Sequence, residues 1–222
     1  MTRESMGNMY DFISHTWNPI KGVCSHECSY CFMKKRGVRL SEPRIEIKEF
    51  SDLGYGNFIF VGSSIDMWAE DILSDWILFV LDYCNKYKNR YLFQSKNPQR
   101  ILDFIDHPTI QKSVICTTIE TNRYYPNIMN NSPAIEDRVK VMEAIATKGI
   151  DTYVTAEPLM QFDLEPMVAF IRRCNPKQVN IGRNTFRKVV LPEPTPIEAQ
   201  ALKAELTKFT KVKVKENARI WF

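Results

Sequence analysis

Along most of the chain, short apolar runs alternate with stretches in which apolar residues recur every three or four positions. The runs at 57–62, 90–95, 113–118, 152–156 and 178–182 have the length of strands buried on both faces. Between the first two, residues 72–87 place Ile72, Leu73, Trp76, Ile77, Val80, Cys84 and Tyr87 on one side, as an amphipathic helix does. Asn97 as cap and Pro98 in the first turn open a helix carrying Ile101, Leu102 and Ile105. A polar segment, 121–131, leads into a further helix with Ser132 as cap, Pro133 in the first turn and Gly149 just past its end. Another helix is expected from about 163 to 174, and Thr195-Pro196-Ile197-Glu198 has the pattern of a capping box opening the last one. Residues 211–215 alternate lysine and valine like a half-exposed strand, and 10–18 is the least regular strand pattern.

Such alternation of strand and helix implies parallel strands joined by crossover helices, in a barrel or an open doubly wound sheet. About six units fall short of the eight in a closed barrel of ~250 residues. The expected fold is therefore α/β, a partial (β/α)6 barrel, forming a single domain over residues 1–222.

Composition adds little to that frame. A hydrophobic content of 44% supports a sizeable core, and the net charge of +4 permits a nucleic-acid partner without requiring one. The first residues have no apolar signal-like region, and no apolar run is long enough for a membrane span, so a cytoplasmic protein without a membrane partner is expected. In a reducing compartment, clustered cysteines point to metal or redox chemistry rather than to disulfides. Cys84, Cys116 and Cys174 sit singly among apolar neighbours and are expected in the core.

Parallel α/β folds build their sites beyond the carboxyl ends of the strands. Those ends carry Ser63, Ser64 and Asp66; Gln94, Ser95 and Lys96; Thr118 and Glu120; Glu157; and Arg183 with Asn184. Taken singly, each is as readily a helix cap or a solvated loop residue. Together with Cys24, Cys28 and Cys31, which follow the first strand of the series, they suggest a cofactor held across several strand ends.

Three thiols within eight residues are one short of the four ligands of a structural zinc site. His26 lies between two of the cysteines, His15 is near enough to be a fourth ligand, and His107 precedes Pro108. An iron–sulfur cluster is the other reading, since three thiolates leave one iron of a cubane open.

The spacing Cys24-x3-Cys28-x2-Cys31, with Tyr30 before the last cysteine, resembles the loop of the radical S-adenosylmethionine superfamily. Thr16-Trp17-Asn18-Pro19, residues 63–68, 92–98 and 156–159 are similar to motifs of its phage-associated three-cysteine-motif (TWNP) family. The gap between the first two cysteines is the shorter one of the wider superfamily. The resemblance implies that Cys24, Cys28 and Cys31 ligate three irons of a [4Fe–4S] cluster, with S-adenosylmethionine chelating the fourth. It implies that Tyr30 and Phe32 line the adenine side and that Ser63, Ser64 and Asp66 bind the methionine amino group. Lys96 would pair with the methionine carboxylate, and Thr118 and Glu120 would reach the ribose.

The resemblance further implies an enzyme that cleaves the cofactor reductively to a 5′-deoxyadenosyl radical, which takes hydrogen from a substrate. An electron donor such as flavodoxin or ferredoxin is then required. Glu157, Arg183 and Asn184 are candidate substrate contacts, with salt bridges closing the barrel edge as their bland alternative. A weaker likeness to spore photoproduct lyase and the phage association suggest a nucleic acid or nucleotide substrate. The basic runs at 34–39 and 208–215 are candidate phosphate contacts or solvated faces. With no appended domain expected, a small substrate or one presented by a partner protein fits. A non-catalytic iron–sulfur or zinc module that binds nucleic acid is the alternative reading.

Overall fold

The apolar runs become strands because each is flanked by neighbours that satisfy its backbone and cover both of its faces. In the computed structural model, which describes residues 2–4, 9–35, 41–186 and 188–222, ten strands are present among the described residues. They are β1 (Arg3–Glu4), β2 (His15–Trp17), β3 (Ile20–Lys21), β4 (Arg44–Ile45), β5 (Phe58–Val61), β6 (Arg90–Ser95), β7 (Val114–Thr118), β8 (Asp151–Ala156), β9 (Gln178–Ile181) and β10 (Lys211–Val214). The main sheet is eight-stranded in the order β1-β2-β5-β6-β7-β8-β9-β10, and β3 and β4 form a separate antiparallel pair. Every neighbouring pair from β2 to β10 is parallel, and β1 alone runs antiparallel. The two edges, β1 and β10, do not pair with each other, so the sheet is open.

The crossovers are α2 (Ser74–Asn85), the short α3 (Pro108–Gln111), α5 (Ile135–Thr147), α6 (Leu164–Arg173) and α7 (Pro196–Thr207); single turns α1 (Phe32–Lys35) and α4 (Pro126–Met129) sit on the rim. Alternate strand residues face opposite ways, and the two faces differ in content. Ile59, Val61, Phe93, Ile115, Val154 and Val179 join the helices in one large core. Phe60, Leu92, Val114, Cys116 and Tyr153 face inward and are covered by Tyr10 and Ile13 from the segment ahead of β2. The stretch with the weakest strand pattern thus spends most of its length as a plug, with only its end in the sheet. Burial of such side chains contributes about 1.5–3 kcal/mol each.

Two expected helix starts differ from the pattern. The helix after Ser132 begins at Ile135 with no side-chain cap, because Ser132 is turned toward the cysteine loop. Asn97 precedes a 3-10 turn, Pro98–Phe104, and its amide donates to the Trp68 carbonyl rather than capping. The Thr195–Glu198 capping box forms as expected, with both reciprocal bonds present.

Candidate functional site

The carboxyl ends of the strands open into a cavity of about 610 Å³. Cys24, Cys28 and Cys31 line it together with Tyr30 and Phe32 from the same loop, and with Ser63, Ser64 and Asp66 after β5. Lys96, Thr118, Glu157, Arg183 and Asn184 complete the expected set on its wall. Glu120 is the exception, being fully buried and absent from the lining.

The cysteine loop owes its shape to its neighbours. Gly22 opens it at φ +141°, where a Cβ would come within 2.6 Å of the Pro43 backbone, so only glycine fits. The polar segment before α5, read from sequence as a connection, clasps the loop from the other side. Ser29 N–H donates to the Ile128 carbonyl at 3.0 Å, Asn131 N–H to the His26 carbonyl at 3.1 Å, and the Asn131 amide to the Ser25 carbonyl at 3.0 Å. Ser132 Oγ lies 3.1 Å from Cys28 Sγ.

His26, an awkward ligand between two cysteines when read from sequence, has a different task. It is buried, and its Nε2 lies 2.9 Å from Asp66 Oδ2. Asp66 also accepts from Ser95 Oγ at 2.9 Å, Lys96 N–H at 2.8 Å and Trp68 N–H at 3.0 Å. Burial pushes the Asp66 carboxyl up, but the bonds from His26, Lys96 and Trp68 outweigh it and hold the group below the usual range. Asp66 thus ties the cysteine loop to β6. Beside it, Asn18 Oδ1 accepts from Ser64 N–H at 2.8 Å, Ser64 Oγ at 2.9 Å and Ser63 Oγ at 3.2 Å.

Beneath the loop a second knot is wholly buried. Glu120 accepts from Arg138 Nη1 at 2.9 Å and from the Tyr30 hydroxyl, and Lys96 Nζ lies 3.8 Å away. Burial raises the Glu120 carboxyl, yet Arg138 and Lys96 win and hold it low. Burial also disfavours the Lys96 ammonium, but Cys28 and Glu120 beside it keep it above the usual lysine range. Burial and Glu120 push the Tyr30 phenol well up, so it donates at neutral pH. Tyr30 therefore presents its ring, not its hydroxyl, to the cavity, with Lys96 Nζ 5.3 Å from the ring centre.

On the far side, Glu157 Oε2 accepts from Lys215 Nζ at 2.7 Å, and Arg183 is paired with Glu193. Asn184 donates to the carbonyls of Phe186 and Val189 at 3.1 and 2.8 Å and accepts from Phe186 N–H, so it shapes its own loop. Lys215 closes the 211–215 stripe of lysines. That stripe is not uniformly solvated, since Lys213 pairs with Asp11 and Lys215 turns into the cavity. The basic run at 34–39 lies largely outside the described residues. Tyr10 is a wall residue that the sequence pattern does not announce. Its hydroxyl donates to Gln94 Oε1 at 2.8 Å, a pairing 84 positions apart that no local pattern signals.

The donor set separates the two metal readings. All six cysteines are free thiols. His26 is bonded to Asp66, His15 lies 3.1 Å from Ser14 Oγ, and His107 lies 3.1 Å from Asp82. Among the described residues, no three His, Cys, Asp or Glu side chains close on one point as a single-metal site requires. The three histidines are thus each engaged with another side chain. Three thiols spread over one cavity suit a cluster in which each thiolate holds a separate iron. Burial and Asp66 push the Cys24 thiol up to about 12, so a metal bound there would have to displace its proton.

No family model matches the chain. It is 25% identical over 167 residues to tRNA-2-methylthio-N(6)-dimethylallyladenosine synthase of Thermotoga petrophila, and equally to that of Thermotoga sp. strain RQ2. The match takes in 68% of this chain but 37% of those proteins, so it spans little more than a third of their length. The fold is similar to that of spore photoproduct lyase. A single-site mutant of that enzyme matches with a TM-score of 0.66 at 9% identity, over 96% of this chain and 79% of that one. A double mutant with bound AdoMet and dinucleoside spore photoproduct matches with a TM-score of 0.59 at 10% identity, over 92% and 64%. The α/β fold with its mostly parallel sheet is thus shared with these structures. No helix among the described residues is long and apolar enough to cross a membrane.

Proposed function

We propose that the protein is a radical S-adenosylmethionine enzyme acting on a nucleic acid or nucleotide-like substrate. The observation that carries this reading is the placement of three free thiols from one loop on the wall of the cavity at the carboxyl ends of the parallel strands. Cys24, Cys28 and Cys31 would hold three irons of a [4Fe–4S] cluster. When bound and reduced, that cluster with S-adenosylmethionine supplies a 5′-deoxyadenosyl radical, which takes a hydrogen atom from the substrate.

The chain's own residues would divide the remaining work. Ser63 and Ser64, pinned by Asn18, flank the cysteine loop where the methionine amino group is expected. Lys96, kept charged, provides a cation for the methionine carboxylate. Tyr30, Phe32 and Thr118 line the cavity; the first two would border the adenine, and Thr118 would reach the ribose. Asp66 and Glu120 act one layer behind, Asp66 by holding His26 and Glu120 by holding Tyr30 and Lys96. Glu157, Arg183 and Asn184 line the same cavity and would contact the substrate.

Within the superfamily we place the chain with the phage-associated TWNP family. In support, its motif residues bond to one another: Asn18 to Ser63 and Ser64, Asp66 to Ser95, and Asn97 to Trp68. A reductant of the flavodoxin or ferredoxin type completes the reaction. The nucleic-acid part of the reading rests on what the similar proteins act on or bind, a tRNA adenosine derivative and a dinucleoside photoproduct. Anaerobic cluster reconstitution followed by dithionite and S-adenosylmethionine tests the proposal. Formation of 5′-deoxyadenosine is expected, and a fully loaded cluster that never cleaves the cofactor would refute it in favour of a non-catalytic binding module.

A further inference from the structure

Ser132 stands just ahead of α5, and a serine at a helix start ordinarily spends its hydroxyl on the first free N–H groups. It does not do so here. The helix begins at Ile135 with Ala134 in the cap position and no side-chain bond there. The Ser132 hydroxyl lies 3.1 Å from Cys28 Sγ instead.

The backbone delivers it to that position without help from the sulfur. Ser132 N–H donates to the Met129 carbonyl at 3.1 Å. The proline after it biases Ser132 toward extended backbone, and Arg138 Nε donates to the Pro133 carbonyl at 2.8 Å. Arg138 is itself fixed, since its Nη1 donates to the Thr118 carbonyl and to Glu120. From the other direction, Ser29 N–H on the Ile128 carbonyl and Asn131 N–H on the His26 carbonyl hold the cysteine loop to the same segment. The contact between hydroxyl and sulfur is therefore set from both sides.

Cys28 lines the cavity and Ser132 does not. The hydroxyl thus meets the sulfur from behind, away from the space in which cofactor and substrate would sit. In the free thiol either atom can donate. A cysteine bound to iron has no proton left, so Ser132 can then only donate its O–H to the sulfur. Reduction of an iron–sulfur cluster adds negative charge that its thiolate sulfurs share, and a hydrogen bond to such a sulfur favours the reduced state.

We infer that Ser132 is a positioning residue that raises the reduction potential of the cluster through its hydrogen bond to Cys28, bringing it within reach of a flavodoxin- or ferredoxin-type donor. The inference rests on the cluster reading proposed above. It adds to that reading a residue outside the cysteine loop, 104 positions from the sulfur it serves.

The test compares native protein, Ser132→Ala and Ser132→Thr after anaerobic reconstitution. Iron is counted, and the cluster is titrated with dithionite against redox mediators, the reduced form being read by electron paramagnetic resonance. Equal iron loading is expected throughout. At the native midpoint, the ratio of reduced to oxidised cluster should fall about tenfold in Ser132→Ala, a shift of about 59 mV to lower potential. Ser132→Thr keeps the hydroxyl and should stay within about twofold of the native ratio. An unchanged midpoint in the alanine variant would overturn the inference. So would an equal shift in the threonine variant, which would trace the effect to packing. Failure of the alanine variant alone to load iron would overturn it too, since the serine would then be only a clasp of the loop. Iron content and 5′-deoxyadenosine formation by the native protein score the radical reading separately. A native protein that loads no cluster fails that reading and this one with it, whereas a loaded, active native protein whose alanine variant titrates identically fails this inference alone.

Discussion

The two ends of the parallel strands each carry a hollow, and they are not equivalent. At the amino ends of β8, β9 and β10 lies the larger, about 720 Å³, lined by residues such as Gly149, Asp151, Asn175, Lys177 and Lys211. At the carboxyl ends lies the cysteine cavity of about 610 Å³. Volume would favour the first. Its ion pair, Lys177 with Asp151, is solvated, with the lysine side chain 66% exposed, and no thiol or buried acid lines it. The cysteine cavity rests instead on Glu120 and Arg138, both with fully buried side chains, and on the His26–Asp66 link. Exposed pairs contribute about 0–1 kcal/mol, whereas a buried charge stripped of its partner costs several. Chemistry has been built into one end, and the other is a gap between loops.

The largest contrast is expected in metal binding. Replacing Cys24, Cys28 and Cys31 together by alanine should abolish iron uptake and the absorbance near 400 nm typical of iron–sulfur proteins, on the order of one cluster lost per chain. Asp151→Ala with Lys177→Ala should leave both as they are. Iron analysis after anaerobic reconstitution reads the difference, and equal loading of the two variants would erase the distinction between the two ends.

Stability should differ next. Arg138→Met leaves Glu120 buried without its main partner and is expected to cost about 3–5 kcal/mol in urea unfolding. Lys177→Ala is expected to change the same quantity by about 0.5 kcal/mol or less.

A smaller effect follows from pH. Glu120 is held below its ordinary value of 4.5, so the folded state binds its proton less readily than the unfolded chain. Its contribution is therefore complete above the ordinary value and is lost as pH falls through the folded one. Unfolding free energy should decline below about pH 4.5, and Glu120→Gln, although less stable at neutral pH, should show a shallower decline there. An unchanged slope in that variant would move the acid sensitivity to other carboxylates.

How much of this is readable before folding depends on the distance over which a signal acts. The strands at 57–62, 90–95 and 113–118 are legible because each is a short apolar run written in adjacent residues, and the Thr195–Glu198 box is equally local. The cysteine loop is legible because its spacing is local too. The partners of Glu120 are not. Arg138 occupies one turn of a helix whose pattern looks ordinarily amphipathic, and only packing of α5 beside the end of β7 brings the two together. Ser132 has the local pattern of a cap, yet a contact with Cys28, 104 positions away, decides its orientation. Lys215 reads as the end of a solvated stripe because strand alternation does not say which face is inward. The register of Lys213 opposite Asn180, a buried inner residue, supplies that information only once the sheet exists.

Everything proposed for the cysteine cavity depends on three thiols being enough, because the remaining iron is left for S-adenosylmethionine. Electron paramagnetic resonance of the reconstituted, dithionite-reduced protein, recorded with and without S-adenosylmethionine, probes that open iron. A [4Fe–4S] signal is expected whose g-values shift when the cofactor is added. A signal indifferent to S-adenosylmethionine at saturating concentration would mean that the open iron does not bind it, and would contradict the proposed division between protein and cofactor ligands.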